Sequence, residues 1–190
     1  SISTDKSNLP VNYMGASKRL TEYILHIYSK KYPNTFISST RFANVLFSNG
    51  SLTDSIVNKI YNGEQFGIPE KSKRYFISKY ESAQIVLASL NNEFKSYISI
   101  PVIKIIGKPI SFKDITKRIF KLYNIDPVFE KYSSKFINNK TFNKNKKSIK
   151  IFLTKMTRGE KVSESFKAFH EKSYDTQYIE LKKIKLPKPN

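Results

Sequence analysis

A chain of 190 residues suits about one domain, and 39% apolar content with 14 Phe and 12 Tyr fills a core and excludes a disordered composition. There is no Cys, which excludes disulfides and thiolate metal sites and suits a reducing, cytoplasmic setting. No apolar run reaches the ~18 residues of a membrane span, the best being YISIPVIKII with Lys104 inside it.

SIST at the start reads as the end of a buried strand. From Tyr13 to Lys31 the pattern turns helical. Leu20, Tyr23, Ile24, Ile27 and Tyr28 recur at three- and four-residue steps and predict one inward apolar face. Pro33 and Asn34 stop it. FISST (36–40) predicts a short strand leading into RFANVLFSNGS, and Asn49-Gly50 a turn. Residues 52–62 predict a helix ended by Gly63, RYFIS (74–78) an extended segment, and 81–90 a helix with Ile85, Val86 and Leu90 inward. ISIPVIKI is strand-like around its Pro. Ser111 is set to cap a helix reaching about Tyr123, with Asp114 near the positive end of its dipole. IFLTK (151–155) predicts a last strand and GEKVSESFKAFHEK (159–172) a last helix. Strands alternating with helices make the class α/β.

The formal charge of +19 is concentrated toward the end: residues 131–150, KYSSKFINNKTFNKNKKSIK, hold seven Lys and no acidic residue. Such a segment reads as a solvated insertion, and a composition biased to Lys and Asn explains it without a ligand. A polyanion-binding patch is the alternative. Tyr132, Phe136 and Phe142 interleave with the lysines, but no RNA-binding motif accompanies them, so no specific nucleic acid is expected. His26 and His170 lack a partner motif, and no metal cluster is visible.

The chemistry sits in residues 3–18, STDKSNLPVNYMGASK. A strand ending in Ser-Thr-Asp-Lys puts polar groups at the carboxyl edge of a sheet, where ligands sit in open α/β folds. Met14 and Lys18 are one helical turn apart, so Lys18 can point back over the crevice that holds Thr4, Asp5 and Lys6. A carboxylate and an amine side by side there can work as a general acid and base. A surface turn with ordinary charges is the alternative. Many nicotinamide enzymes carry a Tyr four residues before a Lys; here Tyr13 is one place off and Met14 holds that spacing.

STDKSNLPVNYMGASKRLTE (3–22) closely resembles the extended short-chain dehydrogenase/reductase family. Within it, the run is similar to the nucleotide-sugar 4,6-dehydratases of the CapD-like polysaccharide biosynthesis family, which share STDKA-x-x-P-x-N-x-[MY]-G-A-[ST]-K. One branch of that family carries Met in place of the catalytic Tyr. RFANVLFSNGSL (41–52), KRYFISKYESAQIVL (73–87) and TRGEKVSESF (157–166) resemble later segments of the same family, in the same order. Two departures stand out. The six Gly, at 15, 50, 63, 67, 107 and 159, make no G-x-x-G-x-x-G turn. Thr157 and Arg158 stand where many relatives have Arg-Pro.

The resemblance implies the C-terminal portion of an NAD(P)-binding Rossmann-like fold plus a small substrate-binding α/β region. Residues 1–65 would be the remainder of the catalytic region, and 66–190 the substrate-binding region with its 131–150 insertion. The Gly-rich N-terminal half is expected to lie outside this chain, which opens at Ser1 like the later part of a longer reading frame. The implied reaction oxidises C4 of UDP- or GDP-linked N-acetylglucosamine with tightly bound, recycled NAD or NADP, removes water across C5 and C6, and reduces C6. Thr4 would bind the C4 hydroxyl, Asp5 would act as acid at the C6 oxygen and Lys6 as base at C5. Met14 would replace the tyrosine. Ser3, Lys18, Arg41 and Phe42 would contact the cofactor, Lys18 at the nicotinamide ribose with its charge also helping the C4 hydroxyl lose its proton, and Asn44, Arg74, Arg158 and Glu160 would contact the sugar nucleotide. No metal is implied, and the complete protein is expected to be a homo-oligomer. The alternatives are an epimerase or reductase of the same fold, or a non-catalytic basic fragment that binds polyanions.

Overall fold

In the computed structural model, which describes residues 1–132 and 147–189, the chain begins with a short strand, β1 (Ile2–Thr4), that passes directly into a 3-10 turn over Asp5–Ser7. Helix α1 (Tyr13–Lys31) follows, capped by Asn12, whose side-chain oxygen accepts from the Gly15 N–H at 2.8 Å. It stops before Pro33, as its sequence predicts. Next come β2 (Ser39–Phe42), β3 (Asn44–Val45) and α2 (Leu52–Asn62). Ser51 caps α2, and Gly63 ends it with φ 66°, a left-handed conformation that glycine adopts without steric cost. Then follow β4 (Phe66–Pro69), β5 (Lys73–Arg74), β6 (Phe76–Ile77) and α3 (Lys79–Ala88), which starts on a reciprocal Ser78–Glu81 capping box. The rest is β7 (Tyr97–Pro101), α4 (Ile103–Ile106), β8 (Ile110–Ser111), α5 (Phe112–Leu122), β9 (Asp126–Lys131), β10 (Ser148–Thr154), β11 (Ser173–Asp175) and β12 (Leu181–Lys185).

These elements form two units. The first comprises Ser1–Val45, Tyr75–Lys108 and Glu164–Asn190. Its five-stranded sheet has the order β1-β2-β7-β12-β11. The first three strands are mutually parallel, β12 runs antiparallel to β7, and β11 antiparallel to β12. Every residue of β2 is buried, as expected for an inner parallel strand covered on both faces. Phe42, Tyr75, Ile98, Ile100, Phe166 and Ile184 make the core. The carboxyl ends of β1, β2 and β7 lie on one edge, with Thr4 opposite Phe42.

The second unit comprises Leu46–Arg74 and Pro109–Ser163. It holds a parallel sheet in the order β4-β10-β9 and the pair β5-β8. Helix α5 buries Phe112, Ile115, Thr116, Ile119 and Phe120, the three- and four-residue spacing of one helical face, and packs on α2. The alternation of strands and helices around parallel sheets is the α/β architecture expected. Among the described residues, no helix is long and apolar enough to cross a membrane.

Six expectations change. The strand predicted at 36–40 forms at Ser39–Phe42, and the strand through ISIPVIKI stops at Pro101, giving way to the short α4. Residues 159–172 form no helix but turns and extended chain, with Glu164, Phe166 and Ala168 buried in alternation. Their backbone groups are spent elsewhere: Arg41 takes the Phe166 carbonyl and Glu171 the Ala168 N–H. IFLTK is not the last strand, since β11 and β12 follow it. The apolar stripe of α1 faces outward: Leu20, Ile24, Ile27 and Tyr28 are exposed, and the buried side carries Gly15, Glu22 and Ser29. Leu90 is also exposed, while Ile85 and Val86 pack on the core as expected. Of the lysine-rich stretch 131–150, residues 133–146 lie outside the described residues.

This arrangement separates two isoleucines that sequence alone treats alike. Ile98→Ala, at a position with no exposed surface, is expected to cost about 2–5 kcal/mol in urea unfolding of this chain. Ile24→Ala, on the outer face of α1, is expected to change stability by about 0.5 kcal/mol or less.

Candidate functional site

At the carboxyl end of β1, three consecutive side chains meet. Thr4 Oγ1 donates to Asp5 Oδ1 at 2.9 Å, and Lys6 Nζ donates to the same oxygen at 3.0 Å. Lys6 Nζ also donates to Asn44 Oδ1 at 3.2 Å. The strand register explains the last contact: Thr4 pairs with Phe42, so Asn44, two residues further on, lies beside Lys6. Asp5 is wholly buried. Its Oδ2 has no hydrogen-bond partner among the described residues. A buried carboxylate oxygen without a donor is costly, so this atom is suited to meet a hydroxyl of a bound ligand.

The first turn of α1 lies against this cluster. A Cβ at Gly15 would collide with the Lys6 carbonyl oxygen and sit 3.2 Å from the Lys6 carbonyl carbon, so glycine is what allows the helix to approach. Lys18 reaches back to the start of β1, donating to the Ile2 carbonyl at 3.1 Å. That single bond leaves its ammonium with donors for a ligand. Tyr13 is 96% exposed and makes no approach to the cluster; Met14, 49% exposed, is turned partly to solvent.

Three residues expected to touch a cofactor are turned inward instead. Ser3 Oγ donates to Glu22 Oε1 at 2.6 Å. Phe42 belongs to the core. Arg41 has no exposed surface, and all five of its N–H donors are committed. They go to the two oxygens of Glu22, the two of Glu171 and the Phe166 carbonyl, at 2.7–2.9 Å. Its guanidinium therefore has no donor left for a cofactor. Arg19 adds ion pairs to Glu22 and Glu171. Of the four residues expected to contact a cofactor, Lys18 is the one whose side chain is not turned into the core or spent on a buried ion network.

Burial alone would push the Glu22 carboxyl up. Hydrogen bonds and charge from Arg41, with the Ser3 and Ser7 hydroxyls, outweigh burial and hold it below its ordinary value. Burial also opposes ionisation of Glu171, but Arg41, Arg19 and the Ala168 N–H bring it down to about 2. Sequence reasoning missed Glu22, Glu171 and Ser7. The signal available for Glu22 was its place one turn after Lys18, which puts both on the face of α1 that looks at β1.

The second unit holds the other expected ligand contacts. Arg74 is buried; its Nη1 donates to the carbonyls of Lys73, Lys161 and Val162 at 2.8, 3.0 and 3.4 Å, and its guanidinium lies over the Phe112 ring. It anchors the chain just after Glu160. Glu160 Oε2 accepts from the Thr157 N–H at 2.9 Å, and the Glu160 N–H donates to the Thr157 carbonyl at 3.2 Å. Gly159, at φ 80°, permits that closed turn, which leaves Arg158 exposed at its tip. Among the described residues, no group of three or more His, Cys, Asp or Glu is placed to hold a metal ion.

Residues 1–185 match the protein family described as polysaccharide biosynthesis protein. Over 123 residues the chain is 32% identical to the capsular polysaccharide biosynthesis protein CapD of Staphylococcus aureus, covering 64% of this chain and 20% of CapD. Over 89 residues it is 37% identical to the UDP-glucose 4-epimerase of Rickettsia canadensis (strain McKiel), covering 45% of this chain and 26% of the epimerase. Among solved structures, Pen from Bacillus thuringiensis superposes with a TM-score of 0.73 at 20% identity, over 98% of this chain and 51% of Pen. The UDP-N-acetylglucosamine 4-epimerase of Bacillus cereus gives 0.56 at 19% identity, over 85% and 54%. At that identity the likeness establishes the fold, a partial Rossmann-like one. The chain spans about half the length of those solved chains and a smaller part of the sequence relatives.

Two outcomes follow from the geometry. Gly15→Ala is expected to cost about 1–3 kcal/mol in urea unfolding, because the added carbon meets backbone that must shift. The depressed Glu22 and Glu171 contribute stability that is fully present above their unfolded-state value of 4.5 and is lost as pH falls below it, for Glu171 toward about 2. The stability difference between the unsubstituted chain and Glu171→Gln should therefore hold constant above pH 4.5 and shrink below it. Urea midpoints measured from pH 6 down to pH 3 check this; a constant difference throughout would refute it.

Proposed function

The chain belongs to the polysaccharide biosynthesis protein family, and from that premise we propose that it forms the catalytic-strand and substrate-binding part of an NAD(P)-dependent nucleotide-sugar 4,6-dehydratase. The substrate would be UDP- or GDP-linked N-acetylglucosamine and the product its 4-keto-6-deoxy form. The observation that carries this reading is the pairing of buried Asp5 with half-buried Lys6, 3.0 Å apart at the end of a parallel strand with Asn44 beside it. Elimination of water across C5 and C6 needs a base for the C5 proton and an acid for the departing C6 oxygen. Moving one proton along that hydrogen bond converts an ammonium and a carboxylate into an amine and a carboxylic acid, the two forms the step requires. Lys6 then takes the C5 proton and Asp5 gives its proton to the C6 oxygen, which returns the pair to ammonium and carboxylate.

Thr4, whose Oγ1 donates to Asp5 at 2.9 Å, would bind the C4 hydroxyl. Lys18 would hold NAD or NADP, which when bound accepts and returns the hydride. Asn44 would orient the sugar, and the Arg74-anchored turn would present Arg158 and Glu160 to the nucleotide diphosphate and ribose. Met14 has no group that accepts a proton, so the C4 hydroxyl must lose its own to another group. The complete protein would act in the cytoplasm, in keeping with a chain without Cys. It would assemble as a homo-oligomer, which the exposed stripe Leu20, Ile24, Ile27 and Tyr28 supports.

A second reading, a nucleotide-sugar epimerase of the same fold, is favoured by the Rickettsia relative and the Bacillus cereus structure. The complete reading frame that encodes this chain, incubated with NAD+ and either UDP- or GDP-N-acetylglucosamine, separates the two. A product lighter by one water is expected; a product of unchanged mass would favour the epimerase, and no product from either donor would sink both. Asp5→Asn should slow water loss by about 10²–10⁴-fold while leaving cofactor reduction in place.

A further inference from the structure

The three residues assigned to the chemistry, Thr4, Asp5 and Lys6, lie between two buried serines, and both serines converge on one atom. Ser3 Oγ lies 2.6 Å, and Ser7 Oγ 2.8 Å, from Oε1 of Glu22. Ser7 Oγ is also 2.7 Å from the Thr4 carbonyl oxygen and 3.3 Å from Ser3 Oγ. Glu22 has no exposed surface, and Arg41 fixes it from the far side through Nε at 2.9 Å and Nη2 at 2.8 Å.

We infer that Glu22 is a positioning residue for the Asp5–Lys6 pair: through Ser3 and Ser7 its carboxylate brackets the tripeptide and sets where the acid and the base stand. The assignment of a reaction rests on the dehydratase reading; the bracket itself rests on geometry alone. Glu22 touches neither Asp5 nor Lys6, so it acts through its neighbours. A carboxylate is needed because the groups around it are donors. Ser3, Ser7 and Arg41 Nε face Oε1, while Arg41 Nη2 and Arg19 Nη1 face Oε2. An amide would turn an NH2 toward one of these two sets. The Gly15 approach closes the remaining side of the turn against the Lys6 carbonyl. Held this way, the pair has little freedom to drift, and a displacement of about 1 Å at reacting groups costs on the order of 10²-fold in rate.

Glu171 provides the contrast. It shares Arg41 and Arg19 with Glu22 but touches neither serine. The complete reading frame encoding this chain is assayed with UDP- and GDP-N-acetylglucosamine as the unsubstituted enzyme, Glu22→Gln, Ser7→Ala and Glu171→Gln. Hydrogen exchange of the peptide over residues 3–14 is followed in parallel. Glu22→Gln and Ser7→Ala are expected to lower kcat by about 10- to 100-fold with KM changed by less than about threefold, and to speed exchange in that peptide. Glu171→Gln is expected to lower the melting temperature yet keep kcat within about threefold and leave that exchange unchanged. Ser7→Ala leaves the ion network intact, so it reports even where Glu22→Gln fails to fold. Unsubstituted kcat in Ser7→Ala, or an equal loss in Glu171→Gln, overturns the inference. Should the unsubstituted enzyme turn over neither sugar nucleotide, the dehydratase reading fails by itself. Exchange then decides the bracket: faster in Ser7→Ala than in Glu171→Gln supports it, and equal rates overturn it.

Discussion

The first unit is organised around one buried cation. Arg41, on the inner strand β2, has no exposed surface and gives every N–H to an acceptor. An isolated guanidinium there would carry a desolvation cost of several kcal/mol. Two carboxylates, Glu22 from α1 and Glu171 from the chain that follows the second unit, neutralise it, and Arg19 balances the second negative charge. Three segments far apart in sequence are thereby fixed to one another. Residues 164–171 have no regular secondary structure of their own, so their path depends on this network. The Phe166 carbonyl and the Ala168 N–H, which a helix would have used internally, are instead partners of Arg41 and Glu171.

That constraint reaches the strand end. Once Arg41 orients Glu22, the free side of the carboxylate meets Ser3 and Ser7, and the residues between them emerge at the carboxyl edge of the sheet. Parallel pairing of β1 with β2 then brings Asn44 to Lys6. The Arg74-anchored turn in the second unit applies a similar device: a buried arginine spends its donors on backbone carbonyls, and the loop it holds carries the exposed arginine. In both units the buried arginine is structural, and the groups free to meet a ligand are its neighbours.

What could be read in the sequence was local. The ends of α1, α2 and α5 are marked by Pro33, Gly63 and Ser111, because caps and stops are decided by a few adjacent atoms. The Thr4-Asp5-Lys6 cluster was legible for the same reason. The inward face of α1 was not: the apolar stripe looks like a core face, but the buried side is chosen by a charged partner on another strand. Residues 159–172 show Val162, Phe166 and Phe169 at helical spacing, yet the buried set is Glu164, Phe166 and Ala168, a period of two that emerges only from the tertiary contacts. Strands β3, β5, β6 and β8 have two residues each, too few to show any period. Ser3, Arg41 and Phe42 were assigned outward by family likeness, and their burial follows from pairing and packing that a motif does not contain.

The charge of the chain makes the placement of its acids informative. With 34 basic and 15 acidic residues, a carboxylate anywhere on the surface would find a lysine nearby and reduce self-repulsion. Asp5, Glu22 and Glu164 are nevertheless buried, in the part of the molecule where desolvation is most costly. Glu22 is repaid by Arg41. Asp5 is only half satisfied, one oxygen bonded to Thr4 and Lys6 and the other unpartnered among the described residues. A biased composition can fill exposed positions with lysine at little cost, but it has no tendency to bury an incompletely paired acid beside an amine. The net charge therefore describes the surface of this protein, and the burial of Asp5 calls for an explanation that composition does not supply.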